Sequence, residues 1–228
     1  MKTKQSQQSK RVKEKFENDL FITRSFNVMD FRAVENEGDN KDKKVEGHAA
    51  VFDSRANIGG WFYEVIERGA FASCDLTDVL LFVNHNQNKI PLARSRNNNS
   101  NSTMQLSIDN IGLFVSAKLD CENNEESRAL YSSISRGDID GMSFAFAIDE
   151  CRWEDMDSDM PTRYITKFKK VFEVSAVNKP AYDLTDISAR DKSALDNAKL
   201  ELESARGKEL ESSDELEIEK LRAQILFK

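Results

Sequence analysis

Histidine is scarce in this chain of 228 residues, where His48 and His85 are the only two. With no HExxH, no Cys/His cluster and no third histidine, a catalytic zinc site has little to be built from. The three cysteines, Cys74, Cys121 and Cys151, are odd in number, lack CxxC spacing and follow no apolar leader, a pattern that points to a reducing cytoplasm. No stretch approaches the roughly 18 uninterrupted apolar residues a spanning helix requires, so no membrane partner is expected. Both GxGxxG and GxxxxGK[ST] are absent, which leaves nucleotide chemistry without a cradle. A net charge of −7 and a pI near 5.1 exclude general affinity for nucleic acid or an anionic membrane surface. The acidic run DMDSD at 155–159 starts like a calcium loop, but Met160 stands where that loop needs glycine and Thr166 where it needs glutamate, so it reads as a solvated loop. No cofactor is expected, and the chemistry left open is chemistry by side chains alone.

What is present divides the chain into three. The first fifteen residues carry six Lys or Arg against one Glu and almost nothing apolar, so they cannot repay the entropy of ordering; a basic disordered arm is expected over 1–25. Residues 191–228 carry seven basic and ten acidic residues. There Leu195, Ala198, Leu202 and Ala205 follow a 3-4-3 spacing, Gly207 interrupts it, and Ile218, Leu221 and Ile225 resume it. That spacing predicts two short amphipathic helices seeking a partner surface, against the alternative of a solvated charged tail.

Between them, over 26–190, lie seven short runs rich in Val, Phe and Ile, at 44–52, 61–66, 78–85, 103–108, 112–119, 142–148 and 169–177. They predict a strand-dominated α+β domain, a compact, roughly seven-stranded closed or nearly closed β-barrel with surrounding helices and a helical C-terminal tail. Asp109–Gly112 reads as a hairpin turn, with Gly112 free to take a positive φ. A helix is expected at about 123–136, with Asn123 and Glu126 as its capping box, Leu130 and Ile134 on one face and Gly137 as its stop.

Three side chains stand out within the strands. In GMSFAFAI, alternation puts Phe144, Phe146 and Ile148 on one face and Ser143, Ala145 and Ala147 on the other, so the hydroxyl lies among small residues that leave room beside it. Serine on a strand is more often a filler. His85 ends the run DVLLFVNH on the face of Val79, Leu81 and Val83, at the lip of a core strand where a rigid element can present an imidazole. Glu173 sits between Val171 and Ser175 on its own strand face. It is either an ordinary solvent-side glutamate, which composition favours, or a carboxylate held by a partner such as an imidazolium. His48, between Gly47 and Ala49, reads as structural.

The ordered series GHAAVF (47–52), EVIERGAF (64–71), NH (84–85), PLAR (91–94), a Gly-Leu strand (112–113), GMSFAF (141–146), EVSAV (173–177) and PAY (180–182) resembles the prohead proteases of tailed phages and prophages. These capsid-maturation serine proteases are related to herpesvirus assemblin. The resemblance runs from about 44 to 190. It implies a compact β-barrel with a Ser-His pair whose third member is an acid or a second histidine. Ser143 then corresponds to the nucleophile, His85 to the base and Glu173 to the third member, while His48, where the family more often has an aromatic residue, keeps a Ser-His-His arrangement open. The implied substrate is a scaffold or the scaffolding segment of the major capsid protein, cut inside the assembling prohead in the host cytoplasm, with self-cleavage. Residues 191–228 would be a removable segment that directs packaging and can self-associate.

Two rivals accompany that reading. One is a non-catalytic β-barrel scaffold or minor capsid component, distinguished by whether His85 and Ser143 lie within hydrogen-bonding reach. The other is a cysteine hydrolase using Cys151, disfavoured because the neighbouring acidic loop would raise the thiol pKa.

Overall fold

The structure, a computed structural model, describes residues 22–26, 30–35, 43–178, 195–207 and 218. The strands are β1 (Ile22–Phe26), β2 (Arg32–Glu35), β3 (Lys43–Val51), β4 (Ala56–Ile58), β5 (Phe62–Ile66), β6 (Asp78–Val83), β7 (Ala93–Arg96), β8 (Met104–Ile108), β9 (Gly112–Leu119), β10 (Gly141–Glu154) and β11 (Thr162–Val177). Helix α1 spans Glu125–Ser135, and α2 covers 195–207. Each of the seven expected runs forms a strand. The expected boundary between arm and domain at 25/26 falls inside β1, and residues 1–21 lie outside the described residues.

Pairing produces two open sheets where a closed barrel was expected. One has seven strands, running β1-β10-β11-β5-β4 with β6 on β11 and β7 on β6; the other runs β2-β3-β9-β8. Among the described residues no pair closes either sheet. The long hairpin β10–β11 accounts for the difference, because its register shifts repeatedly between Ala145 and Cys151. Bulges of this kind bend and twist a strand. They let β11 pair in parallel with β5 at one end, through Thr162–Ile165, and with β6 at the other, through Glu173–Ala176.

The two sheets share one core. Val45, Leu113 and Val115 from the four-stranded sheet join Leu81, Phe144, Phe146, Phe168 and Val174 from the other. Phe144 stacks on Phe146 with centroids 4.5 Å apart, and Phe168 meets Phe146 edge-on at 4.9 Å. Burying each such ring contributes about 1.5–3 kcal/mol, so the Phe-Ala-Phe alternation of β10 anchors the strand that carries Ser143.

Helix α1 is capped by Asn124, one residue later than expected. Its side-chain oxygen accepts from the N–H groups of Glu126 and Ser127, and Leu130 and Ile134 face the core. Gly137, with φ +76°, ends it. The stripe on α2 finds its partner within the chain: Leu195 and Ala198 pack on Phe62, Ile58 and Trp153, and Leu202 is buried too. Lys199 Nζ sits 3.4 Å above the centre of the Trp61 ring, and Arg206 Nε donates to the Met156 carbonyl at 2.8 Å. Leu221 and Ile225 lie outside the described residues.

Gly112 is required for a reason other than a positive φ. A Cβ there would stand 1.8 Å from the Ala50 carbonyl oxygen, just past the register shift between β3 and β9. Gly112→Ala is therefore expected to destabilise the fold by about 1–3 kcal/mol through overpacking, read as a lowered urea midpoint. An unchanged midpoint would show that β3 and β9 separate freely at this point.

Candidate active site

The site begins with the register of β10 and β11. Ser143 lies directly opposite Ser175, and Ala145 opposite Glu173, so the serine hydroxyl and the glutamate carboxylate fall on neighbouring strands. Parallel pairing of β11 with β6 sets Ser175 beside Phe82 and Ala176 beside Val83, which brings the end of β6 to the same place.

His85 is not on β6 but two residues past its end. Asn84 and His85 both adopt left-handed backbone, with φ of 51° and 55°. Asn tolerates that region, whereas for His it costs about 1–2 kcal/mol. The turn is held by hydrogen bonds from Asn84 N–H to the Ala176 carbonyl (2.9 Å) and from His85 N–H to Ser175 Oγ (3.1 Å). It folds the imidazole back over β10 and β11.

There the ring bridges two side chains 30 residues apart in sequence. Its Nε2 lies 2.7 Å from Ser143 Oγ, and its Nδ1 meets Glu173 Oε1. A carboxylate only accepts, so Nδ1 carries the hydrogen and Nε2 faces the hydroxyl. The second carboxylate oxygen, Oε2, accepts from the Ser175 hydroxyl at 2.9 Å. Glu173 is only 1% exposed, so it is the held carboxylate and not the solvent-side one. A buried charge needs such bonds on both oxygens. Ser175 was not singled out in the sequence, although its place two residues after Glu173 on the same strand face was the available signal. It ties the carboxylate and the His85 backbone into one unit.

Arg24 is the other residue that sequence reasoning missed. It lies on β1, whose Ser25 pairs opposite Ser143, and its carbonyl accepts from Ser143 Oγ at 2.8 Å. Its guanidinium reaches Glu64, which is fully buried between Arg24 and Arg163. Burial works to raise the Glu64 carboxyl, but the two guanidiniums outweigh it and hold it below the usual range.

His48 stands apart, on β3 of the four-stranded sheet. Its Nδ1 is 2.5 Å from Asp30 Oδ2 and its Nε2 2.9 Å from Asp109 Oδ2, so neither ring nitrogen is directed at Ser143 or His85. Cys151 is pushed up to about 11 by burial first and by the Glu201 carboxylate next, and Cys74 up to about 12 by burial, so neither supplies a thiolate near neutral pH. Among the described residues no group of three or more His, Cys, Asp or Glu could hold a metal, and no helix is long and apolar enough to cross a membrane.

A hydroxyl, an imidazole and a carboxylate in hydrogen-bonded series are the parts with which serine hydrolases activate a nucleophile. The family comparison narrows the class: the chain belongs to the caudovirus prohead serine protease family, whose model matches residues 28–200. It is thus a protease of phage capsid assembly. A search of curated proteins gives no match. Among solved structures, the bacteriophage T4 capsid assembly protease, gp21, is similar at 13% identity and a TM-score of 0.43, over 69% of this chain and 96% of that one.

The His48 cluster has a consequence for stability. Burial opposes protonation of the ring, but the hydrogen bonds and charges of Asp30 and Asp109 outweigh it and raise the pKa above the ordinary 6.5. A raised folded-state pKa contributes stability that is fully present below 6.5 and is lost as pH rises through the folded-state value. The urea midpoint is therefore expected to fall as pH rises above 6.5 through the raised folded-state value, and His48→Gln to flatten that fall. An equal slope in the two proteins would remove His48 as its source.

Proposed function

We propose that the protein is a serine endopeptidase in which Ser143 is the nucleophile, His85 the general base and Glu173 the residue that orients and charges-balances the imidazole. The observation that carries this reading is the 2.7 Å separation of His85 Nε2 and Ser143 Oγ, with Glu173 on the far ring nitrogen. In the attack step His85 takes the proton as Ser143 Oγ bonds to the acyl carbon. The Glu173 carboxylate stabilises the imidazolium, and Nε2–H then protonates the leaving amine. Water repeats the sequence to release the acyl group. The same separation speaks against the non-catalytic scaffold, which requires the pair to be apart.

The substrate in this reading is a scaffold, or the scaffolding segment of the major capsid protein, cleaved within the assembling prohead during head maturation, with cleavage of the chain itself as a second event. Membership of the prohead protease family supports the context. In this reading 191–228 is a removable tail, whose release would have to uncover Phe62 and Trp153.

Co-expression of the full chain with its capsid protein, followed by intact mass, tests the assignment. Ser143→Ala and His85→Ala are each expected to abolish processing, and the double variant to be no worse than either, because such residues act as a unit. Glu173→Gln should lower turnover by about 10²–10⁴-fold while leaving residual activity, and His48→Phe should cleave at close to the wild-type rate. Processing by His85→Ala at the wild-type rate would remove the assigned base.

A further inference from the structure

We propose that β1 is a built-in blocking strand, which occupies the edge of β10 beside Ser143 and must leave before an extended peptide can pair there and be cut. The inference rests on the reading of Ser143 as nucleophile. Three observations carry it. The first is position: β1 runs antiparallel to β10 with Ser25 opposite Ser143, and Ser143 is only 1% exposed. An extended peptide adding to a sheet edge needs the same row of backbone groups.

The second is the hydrogen bond itself. A serine hydroxyl has one hydrogen. The Arg24 carbonyl, 2.8 Å away, and His85 Nε2, 2.7 Å away on the other side, compete for it, so the docked strand draws the hydrogen away from its base. The contact is oxygen to oxygen, with the hydroxyl donating, and does not aim Oγ at a carbonyl carbon. β1 is therefore seated as an obstruction and not as a substrate.

The third is how β1 is held. Arg24 Nε donates to Glu64 Oε1 at 2.7 Å and Arg24 Nη1 to the Thr23 carbonyl at 2.8 Å, but Nη2 is buried and has no partner among the described residues. A guanidinium nitrogen denied both water and acceptor weakens the docked state relative to the released one. Glu64, meanwhile, keeps Arg163, whose Nε donates to Oε2 at 3.1 Å, so withdrawal of Arg24 does not leave a buried carboxylate alone. Arg163 in turn reaches Glu201 on α2 at 3.2 Å. Beyond its backbone pairing with β10 and the buried Ile22, the strand is held by one charge pair that can break without leaving Glu64 unpaired, as a strand meant to move requires.

The test uses the full chain and a fluorophosphonate, whose phosphorus bonds to the oxygen of an activated serine as the P–F bond breaks and fluoride leaves, with uptake followed by intact mass. Thr23 and Ala145 are register partners, and Thr23→Cys with Ala145→Cys places two thiols at a separation a disulfide can span. Oxidation is expected to slow labelling by more than about tenfold relative to the same protein reduced, with wild type unchanged by the oxidant. Arg24→Ala is expected to label several-fold faster than wild type; if it fails to fold, the paired-cysteine protein decides. Equal labelling of oxidised and reduced forms would overturn the block and leave the protease reading standing. No labelling of any form, Arg24→Ala included, would sink Ser143 as the nucleophile and the block with it.

Discussion

Everything at the site depends on the register of β10 against β11. Side chains on paired strands meet only if their positions align, and a slip by one residue sends each to the opposite face. With Ser143 opposite Ser175 and Ala145 opposite Glu173, the hydroxyl and the carboxylate stand a fixed distance apart, and one imidazole spans them. The register is fixed in turn by packing. Phe144 and Phe146 lock into Phe71 and Phe168, so shifting the strand would drive two rings out of the core. The apolar half of β10 serves the polar half.

The second constraint is electrostatic. Glu173 and Glu64 are both fully or almost fully buried carboxylates, and each is held by donors from elements far away in sequence. Glu173 is satisfied by His85 and Ser175, and its pairing sets the His85 ring against Ser143. Glu64 is satisfied by Arg24 and Arg163, and its pairing ties β1 and the tail helix to β5 and β11. Removing either carboxylate's partners strands a charge in a medium that cannot solvate it, which is why each is surrounded by more than one donor.

Much of this was legible beforehand, because strand runs advertise themselves by β-branched and aromatic residues. The strands that escaped notice did so for identifiable reasons. ARSR of β7 and RAVE of β2 are short and charged, and ANI of β4 has three residues. DECRWE of β10 and TRYITKFK of β11 are interrupted by charged residues, which hides their strand pattern, although Arg163, Ile165 and Phe168 of the second are buried. Gly112 was read as a turn residue, but its need arises from the Ala50 backbone across the sheet, which no local pattern contains. Ser143, His85 and Glu173 were nameable from motif order. The left-handed turn at Asn84 and His85 was not, since it depends on Ala176 and Ser175 some 90 residues on. Arg24, paired to Glu64 across 40 residues, could not be distinguished from the basic arm before it.

The central claim is that Glu173 holds the His85 ring with Nδ1 protonated and Nε2 turned to Ser143. Nitrogen-15 NMR of the histidine side chains reads this directly, because protonated and bare ring nitrogens resonate apart. The account predicts that neutral His85 carries its hydrogen on Nδ1 and that Glu173→Gln disturbs this preference. A neutral His85 with its hydrogen on Nε2 in the wild-type protein would contradict it.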